Sequence, residues 1–346
     1  MHSRDSTPAN IDDVAALAGA STATVSRVLN RPSAVREELR KRVIDAVTQL
    51  GYVPHAGARA LKLQRSGTIG AVFPTIDNAI FAKSIDALQA RLARDGLQLL
   101  IAASGYDIEI ETQQAMNLVT RGVDGLVLVG TSQSPKLLNF LRQRDLPTVH
   151  TMTFPAPAGM VCVGFDNSRA IAQAARYLID LGHRRIAMLA GITLHNDRAA
   201  ARVTGARECL AKSGLKLAPK HLVERRYGLA DARDGFRVLM ATKPAPTAIL
   251  CGNDVLALGA VLEAKAMGID VPNALSIVGF DDLEISRHIQ PALTTLHVPT
   301  QRMWESVAER IIARLAGSPV PPATEVEVEL IVRESTSVAP SPALVG

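Results

Sequence analysis

Two different spacings of apolar residues divide the chain. Between residues 10 and 50 the apolar positions recur every three or four residues, which predicts short amphipathic helices. From Thr68 onward, short apolar runs alternate with longer amphipathic stretches, which predicts strands alternating with helices. Such alternation is typical of parallel sheets with helices on both faces. We therefore expect a small all-α N-terminal domain followed by a larger α/β region.

The segment 10–30 predicts two helices joined by a tight turn. Asn10 and Ser21 are suitable N-caps for the first and second helix. Gly19 suits the turn because glycine enters the left-handed backbone region at no steric cost. The apolar faces that should meet are Ile11, Val14, Ala15 and Ala18 on the first helix and Val25, Val28 and Leu29 on the second.

The outward face of the second predicted helix carries small, hydroxylated and basic side chains suited to DNA base edges and phosphates. We expect Arg27 to pair with a guanine, since arginine can do so bidentately, and Thr22 and Ala23 to tune specificity. Ser21, Thr24 and Ser26 are expected to contact phosphates, and Asn30 completes the face. A helical hairpin with a polar outer face and no DNA function would show the same spacing, so the pattern alone leaves both interpretations open.

The residues DVAALAGASTATVSRVLN closely resemble the DNA-binding signature of the LacI/GalR family of bacterial transcription regulators. The resemblance continues through a third helix, expected from about Glu37 to Leu50. Arg36 stands where the family usually has a Ser or Thr cap, so we expect a slightly weaker start to this helix.

A hinge is implied by the Tyr-x-Pro…Ala-Arg-x-Leu-Lys pattern that begins at Tyr52. In the family this hinge becomes helical on operator DNA and wedges a leucine into the minor groove, where an apolar wedge unstacks a base step and bends the duplex. The resemblance implies that Leu61 is the wedge. It also implies that the DNA contacts include Tyr52, Ala58, Arg59 and Lys62.

The α/β region contains ten strand candidates: 68–74, 97–104, 125–130, 147–152, 160–166, 184–190, 222–228, 248–253, 276–281 and 294–298. Some 280 residues of alternation exceed what one sheet comfortably holds. We therefore expect two Rossmann-like parallel-sheet subdomains, in the architecture of a type I periplasmic binding protein. The short sequences GFDN (164–167) and GFDD (279–282) resemble each other, which would suit corresponding places in two halves, although four residues do not establish a repeat.

The resulting division into domains is as follows. Residues 1–9 form a disordered N-terminus, 10–55 the helix-turn-helix domain, 56–66 the hinge, and 67–346 the effector-binding and dimerisation domain. Its N-subdomain is expected to comprise about 67–165 plus 296–325, and its C-subdomain about 166–295 plus 326–338.

A ligand is expected between the subdomains, because ligands of open α/β sheets bind beyond the carboxyl ends of the strands. Polar residues follow most of the predicted strands. Taken singly, each is more often a helix cap or turn residue than a ligand contact, as Asn253 or Asp254 would be in any protein of this class. The resemblance implies that the effector is gripped by Arg202, Asp281 and an aromatic residue. The predicted effector-binding residues are Asn78, Phe81, Arg198, Arg202, Asn253, Asp254 and Asp281.

The predicted ligand is a sugar or a sugar acid. An arginine and a carboxylate suit vicinal hydroxyl groups, and Arg198, one turn before Arg202, favours an acidic ligand. The chain has DNAIF where many family members have Asn-Pro-Phe-Phe, which leaves the ring type of the ligand open.

Composition and charge narrow the function further. Residues 1–66 hold ten Lys/Arg against six Asp/Glu, while the remaining 280 residues carry a net charge of only +1 of the total +5. A basic module on a near-neutral body indicates a polyanionic partner for that module. The three cysteines are far apart in apolar sequence, and no metal, cofactor or disulfide motif is present, which fits a reducing cytoplasm.

The leading hypothesis is therefore a repressor that acts as a homodimer on pseudo-palindromic operator DNA and responds to a small metabolite. A solute-binding protein without DNA function shares this body plan, but the chain has no hydrophobic signal region or membrane span, which disfavours it. An enzyme is a third possibility. It has little support, because no phosphate-binding glycine loop, zinc-binding or nucleophile motif occurs. No heptad pattern follows residue 336, so we expect no C-terminal tetramerising coiled coil.

Overall fold

The computed structural model describes residues 9–30, 32–53 and 65–340. The chain divides into two compact units, 1–66 and 67–346, each with its own apolar core. The predicted hinge residues Ala58, Arg59, Leu61 and Lys62 lie outside the described residues.

The described residues of the first unit form three α-helices, α1 (Ile11–Ala18), α2 (Thr22–Asn30) and α3 (Glu37–Leu50). Asn10 caps α1 in a capping box with Asp13, and the turn passes through Gly19 at φ 59°. A short 3₁₀ turn, Pro32–Ala34, precedes α3. These boundaries confirm the three predicted helices.

The helices of the first unit stay together because their apolar faces meet in one core. Val14 of α1, Val25 and Val28 of α2 and Val43 and Ala46 of α3 are all buried. Arg36 occupies the N-cap position of α3 and makes no side-chain capping hydrogen bond, as its residue type predicts.

The first of the two sheets in the second unit is entirely parallel, with strand order β11-β5-β4-β3-β1-β2. Its strands are β1 (Thr68–Phe73), β2 (Gln98–Ala103), β3 (Gly125–Val129), β4 (Thr148–Thr151), β5 (Cys162–Gly164) and β11 (Ala323–Glu325).

The second sheet has the order β12-β10-β9-β8-β6-β7, and it is parallel except that β12 runs antiparallel to β10. Its strands are β6 (Ile186–Gly191), β7 (Leu222–Arg225), β8 (Ala248–Cys251), β9 (Ser276–Asp281), β10 (Thr294–His297) and β12 (Glu329–Ile331).

Eight helices cover the two sheets. They are α4 (Ala79–Ala93), α5 (Ile108–Thr120), α6 (Pro135–Gln143), α7 (Asn167–Asp180), α8 (Asp197–Lys212), α9 (Leu229–Met240), α10 (Asp254–Ala266) and α11 (Thr300–Leu315). Helices α4 and α11 pack together over the first sheet, where Trp304 stacks on Phe73 with ring centroids 5.2 Å apart. Helices α7 and α8 form the corresponding pair over the second sheet. The chain crosses between the sheets after β5, after β10 and between β11 and β12.

The ten predicted strands are confirmed as β1 to β10. The pattern did not predict β11 and β12, since strands of three residues carry too few apolar positions to stand out. The suggestion that GFDN and GFDD mark corresponding places is wrong. GFDN begins at the last residue of β5, the fifth strand from the β2 edge of its sheet, whereas GFDD begins in β9, the fourth strand from the β7 edge.

Among the described residues, no helix is both long enough and apolar enough to cross a membrane. The three cysteines, Cys162, Cys209 and Cys251, are buried free thiols.

Candidate functional site

The first candidate site is the outward face of α2. Thr22, Ala23 and Arg27 are exposed there, and Ser26 is partly exposed. Ser21 caps the helix by accepting a hydrogen bond from the backbone N–H of Thr24 at 3.2 Å. The side chain of Asn30 lies outside the described residues. The predicted DNA-facing side chains that the structure describes on α2 therefore lie away from the buried core.

Tyr52 has a different position from the rest of the predicted DNA-binding set. It follows the C-cap Gly51 and packs, partly buried, against the core of the three-helix unit. Tyr52 therefore packs against this core next to the end of α3.

The second candidate site is a pocket where the carboxyl ends of the two sheets face each other. Its lining comes from both subdomains: Asn78, Ile80, Phe81, Tyr106 and Met152 from the first, and Asn196, Arg198, Arg202, Tyr227, Asn253 and Asp281 from the second. The structure thus brings together six of the seven predicted effector-binding residues. The pocket holds about 30 Å³, the space of roughly two water molecules, so the cleft must open to admit a sugar-sized ligand.

Arg202 is the most firmly held cation of the pocket. Its Nε donates to Oδ1 of Asn167 at 2.9 Å, and a terminal nitrogen donates to the backbone carbonyl of Gly252 at 2.5 Å. Its guanidinium lies 3.7 Å above the ring of Phe280, a cation–π contact. These contacts fix the plane of the guanidinium before any ligand arrives.

The carboxyl group of Asp281 is short of a hydrogen-bond donor. Its carboxyl group is buried in the pocket wall, and Oδ1 has no hydrogen-bond partner among the described residues. Burial raises its pKa to about 7, although nearby Arg202 opposes the change. The backbone φ of 108° is unfavourable for a residue with a Cβ, and such strain is concentrated at functional sites. A ligand hydroxyl would satisfy this oxygen.

Several pocket residues also begin helices. Asn78 caps α4, Asn196 caps α8 and Asn253 caps α10, each accepting a hydrogen bond from its own helix. Each Oδ1 is therefore used locally. All three residues line the pocket, so the N-terminal ends of their helices adjoin it.

The structure does not bring Asp254 into the pocket. Its carboxylate accepts hydrogen bonds from the backbone N–H of Leu283 and from the hydroxyls of Ser286 and Thr295. Burial raises its pKa to about 6. Asp254 therefore ties α10 to β9 and β10, a structural role.

Two tyrosines that the predicted effector set lacks line the pocket. Tyr106 follows β2 and Tyr227 follows β7, and their rings lie 5.6 Å apart. Burial raises the pKa of Tyr106, so its hydroxyl stays protonated and can donate. Phe81, the predicted aromatic contact, also lines the pocket and packs edge-on against Phe73. The position of Tyr106 after a strand could have indicated its role, but no local pattern distinguished Tyr227.

In the part of the chain that the structure describes, neither His183 nor His195, the two histidines nearest the cleft in the sequence prediction, is paired with a carboxylate, so neither forms a nucleophile–histidine–carboxylate arrangement. His183 is buried elsewhere, between the hydroxyls of Thr247 and Ser276 at 3.0 Å each. His195 lies in the wall of a neighbouring small pocket that shares Tyr106 and Arg198 with the first.

Comparison with known proteins defines the class. Residues 10–55 match the model of the bacterial regulatory proteins of the lacI family, and residues 175–336 match that of a periplasmic binding protein-like domain. Together with the fold and the pocket, these matches and the relatives below show that the chain belongs to the lacI family of bacterial regulatory proteins. It is a DNA-binding transcriptional regulator with an effector-binding domain and not an enzyme.

The matches to individual relatives cover nearly the whole chain. The HTH-type transcriptional repressor PurR of Erwinia tasmaniensis is 32% identical over 336 residues, which are 96% of this chain and 98% of PurR. The Lac repressor dimer bound to operator and the anti-inducer ONPF superposes with a TM-score of 0.85 at 25% identity, covering 96% of this chain and all of that one. The complex of the transcriptional regulator CelR with cellobiose has a TM-score of 0.69 at 28% identity and covers 94% and 99% of the two chains.

Proposed function

We propose that this protein is a cytoplasmic homodimeric repressor of pseudo-palindromic operators, and that a sugar or sugar acid bound between its subdomains controls its affinity for DNA. The observation that carries the proposal is the pocket, in which rigid Arg202 and the unpartnered oxygen of Asp281 face a space reached from both subdomains. The relatives that act as repressors, and the CelR–cellobiose complex, support it.

On the DNA side, α2 serves as the recognition helix. Its exposed Arg27 would read a guanine in the major groove, with Thr22 and Ala23 beside it and Ser21, Thr24, Ser26 and Asn30 toward the phosphates. Two copies of the unit in a dimer would read two half-sites. For the hinge residues Ala58, Arg59, Leu61 and Lys62, the proposal rests on the family resemblance.

On the ligand side, Asp281 would accept a hydroxyl proton and Arg202 would donate to a ligand oxygen. Asn78 and Asn253 would offer their amides, and Phe81 an apolar wall. Because the cleft is too small for such a ligand when closed, binding would change the spacing of the two subdomains. A change of that kind can be transmitted to the DNA-binding units.

The test is fluorescence anisotropy of the purified full-length protein on palindromic DNA from upstream of its own gene, titrated at two salt concentrations. We expect tight, salt-sensitive binding to one palindrome, changed by one member of a panel of sugars and sugar acids. If no DNA is bound while a sugar still raises the melting temperature, the solute-binding interpretation replaces the repressor. Light scattering of the same sample measures whether the protein is a dimer.

A further inference from the structure

Asp197, the first residue of α8, connects the two subdomains directly. Its Oδ2 accepts hydrogen bonds from the backbone N–H and the hydroxyl of Thr131, both at 2.9 Å, and from the hydroxyl of Thr153 at 3.0 Å. Thr131 and Thr153 follow β3 and β4 of the first sheet, whereas α8 belongs to the second. These hydrogen bonds join the two subdomains on one side of the cleft, and we call them the clasp.

The other carboxylate oxygen of Asp197 binds an arginine that lines the pocket. Oδ1 accepts a hydrogen bond from the guanidinium of Arg198 at 2.9 Å, and the Arg198 side chain is only 9% exposed. This pair lies against Gly130, whose φ is +78°. A Cβ at Gly130 would overlap both the Arg198 guanidinium and Oδ1 of Asp197, so a glycine there allows the pair to form.

Asp197 stays ionised in this setting. Burial acts to raise its pKa, but Arg198 and the hydrogen bonds from Thr131 and Thr153 outweigh burial and leave the pKa below its usual value. The charge of Arg198 is therefore already balanced by a carboxylate that is itself fully hydrogen-bonded.

The remaining carboxyl groups around the pocket also lie near these arginines. Arg202 and Asp281 both line the pocket, and Arg198 and Glu111 both line the neighbouring small pocket. Three carboxyl groups therefore lie around the two arginines. An anionic ligand would add a further negative charge in a buried space, which is unfavourable unless one of those carboxyl groups moves away or takes a proton.

We propose that Asp197 is a specificity-determining residue that selects uncharged polyhydroxy ligands, because a ligand carboxylate or phosphate at Arg198 would have to displace it and break the clasp. The inference rests on the proposed ligand site between the subdomains. It narrows the proposed ligand from a sugar or sugar acid to a neutral sugar.

The first test compares a sugar with its own uronic acid, using glucose with glucuronate and galactose with galacturonate, by calorimetry on the full-length protein. We expect the neutral member to bind about tenfold more tightly to the wild type, and D197N to shift this ratio about tenfold toward the acid. Asp231→Asn removes an aspartate from the first turn of another helix, α9, and should leave the ratio unchanged. A wild-type preference for the acid would overturn the proposal.

The second test needs neither the natural ligand nor DNA. Acetate, as a minimal carboxylate, should raise the melting temperature of D197N above that in chloride of equal ionic strength, and should not do so for the wild type. A clear acetate effect on the wild type, or none on D197N, would contradict the inference. Since operator binding is measured separately, failure here is distinguishable from failure of the proposed function.

The clasp itself is measured by hydrogen exchange at the amide of Thr131. We expect exchange to rise about tenfold in D197N, whose side chain has one acceptor oxygen instead of two and no charge, and in Gly130→Ala, whose methyl group would displace the carboxylate. Thr153→Val removes one hydrogen bond without changing the charge. It should speed this exchange and should reduce the preference for neutral sugars less than D197N does, because Asp197 keeps its charge. Unchanged exchange in all three variants would mean that Asp197 does not hold the cleft.

Discussion

The rings of Tyr106 and Tyr227 lie with their centroids 5.6 Å apart and their planes at 46°, although the two residues belong to different subdomains. Aromatic pairs at this distance are favourable by about 0.5–1.5 kcal/mol beyond the burial of their area. The pair therefore contributes to closing the cleft. Because both rings also line the pocket, a ligand that enters must contact or separate them.

Replacing Tyr227 should therefore weaken ligand binding. We expect Tyr227→Ala to raise the dissociation constant of the sugar that alters operator binding by about tenfold, and Tyr227→Phe to stay close to the wild type. Calorimetry with that sugar measures both variants. If the phenylalanine variant is as weak as the alanine variant, the hydroxyl and not the ring is the contact.

Arg27 should contribute to sequence specificity. We expect Arg27→Ala to lose about 1–3 kcal/mol of operator binding and to become indifferent to the base pair at one position. Anisotropy on operators substituted one base pair at a time shows this. Arg94→Ala removes an exposed arginine from the second unit and serves as the charge-matched control. An equal loss on every sequence would instead make Arg27 a phosphate contact.

The start of α3 lacks a side-chain capping hydrogen bond, and a substitution at Arg36 can supply one. Arg36 has extended backbone angles (φ −56°, ψ 141°) that suit an N-cap residue but makes no capping hydrogen bond. We expect Arg36→Ser to stabilise the start of α3 by about 1 kcal/mol, since serine can accept from the amides of Glu38 or Leu39. Slower hydrogen exchange at those two amides would show it. Arg36→Ala, which cannot cap, should give no slowing.

Asp281 should make the stability of the second unit depend on pH. Its pKa is raised by burial from 3.8 to about 7, so between these values the folded protein binds more protons than the unfolded chain. The free energy of unfolding should therefore fall as the pH rises through this window. Urea denaturation from about pH 4.5 to about pH 7.5 should show a shallower fall for Asp281→Asn than for the wild type. Equal slopes would mean that Asp281 titrates near its ordinary pKa.

The protonation state of Asp281 should also affect ligand binding. A sugar hydroxyl that donates to Asp281 favours the ionised carboxylate and so should release a proton on binding. The affinity for a neutral sugar should accordingly rise with pH across neutrality, and calorimetry in two buffers of different ionisation enthalpy measures the released proton. Proton uptake would show that the ligand binds the protonated acid.

Elements whose signals are local can be predicted from the amino-acid sequence. Helix α3 was predicted with its observed bounds, because its apolar spacing, its start after Arg36 and its end at Gly51 all lie within one short segment. The strands β1 to β10 were predicted because each is a short apolar run, as is typical of buried parallel strands, although β2 at the sheet edge is largely exposed. The meeting of polar residues in one cleft also followed from the order of strands and helices, since the carboxyl ends of parallel strands share one edge of a sheet.

The directions of individual side chains, and the contacts between residues far apart in sequence, depend on how the chain folds in three dimensions. Asn253 and Asp254 are adjacent, but successive residues at a helix start point in different directions. Asn253 therefore faces the pocket, while Asp254 is turned into the core toward Ser286 and Thr295. Likewise, Asp197 and Thr131 are separated by 66 residues, and no local spacing relates them. Their contact exists because the closing of two separately folded sheets places the start of α8 against the loop after β3.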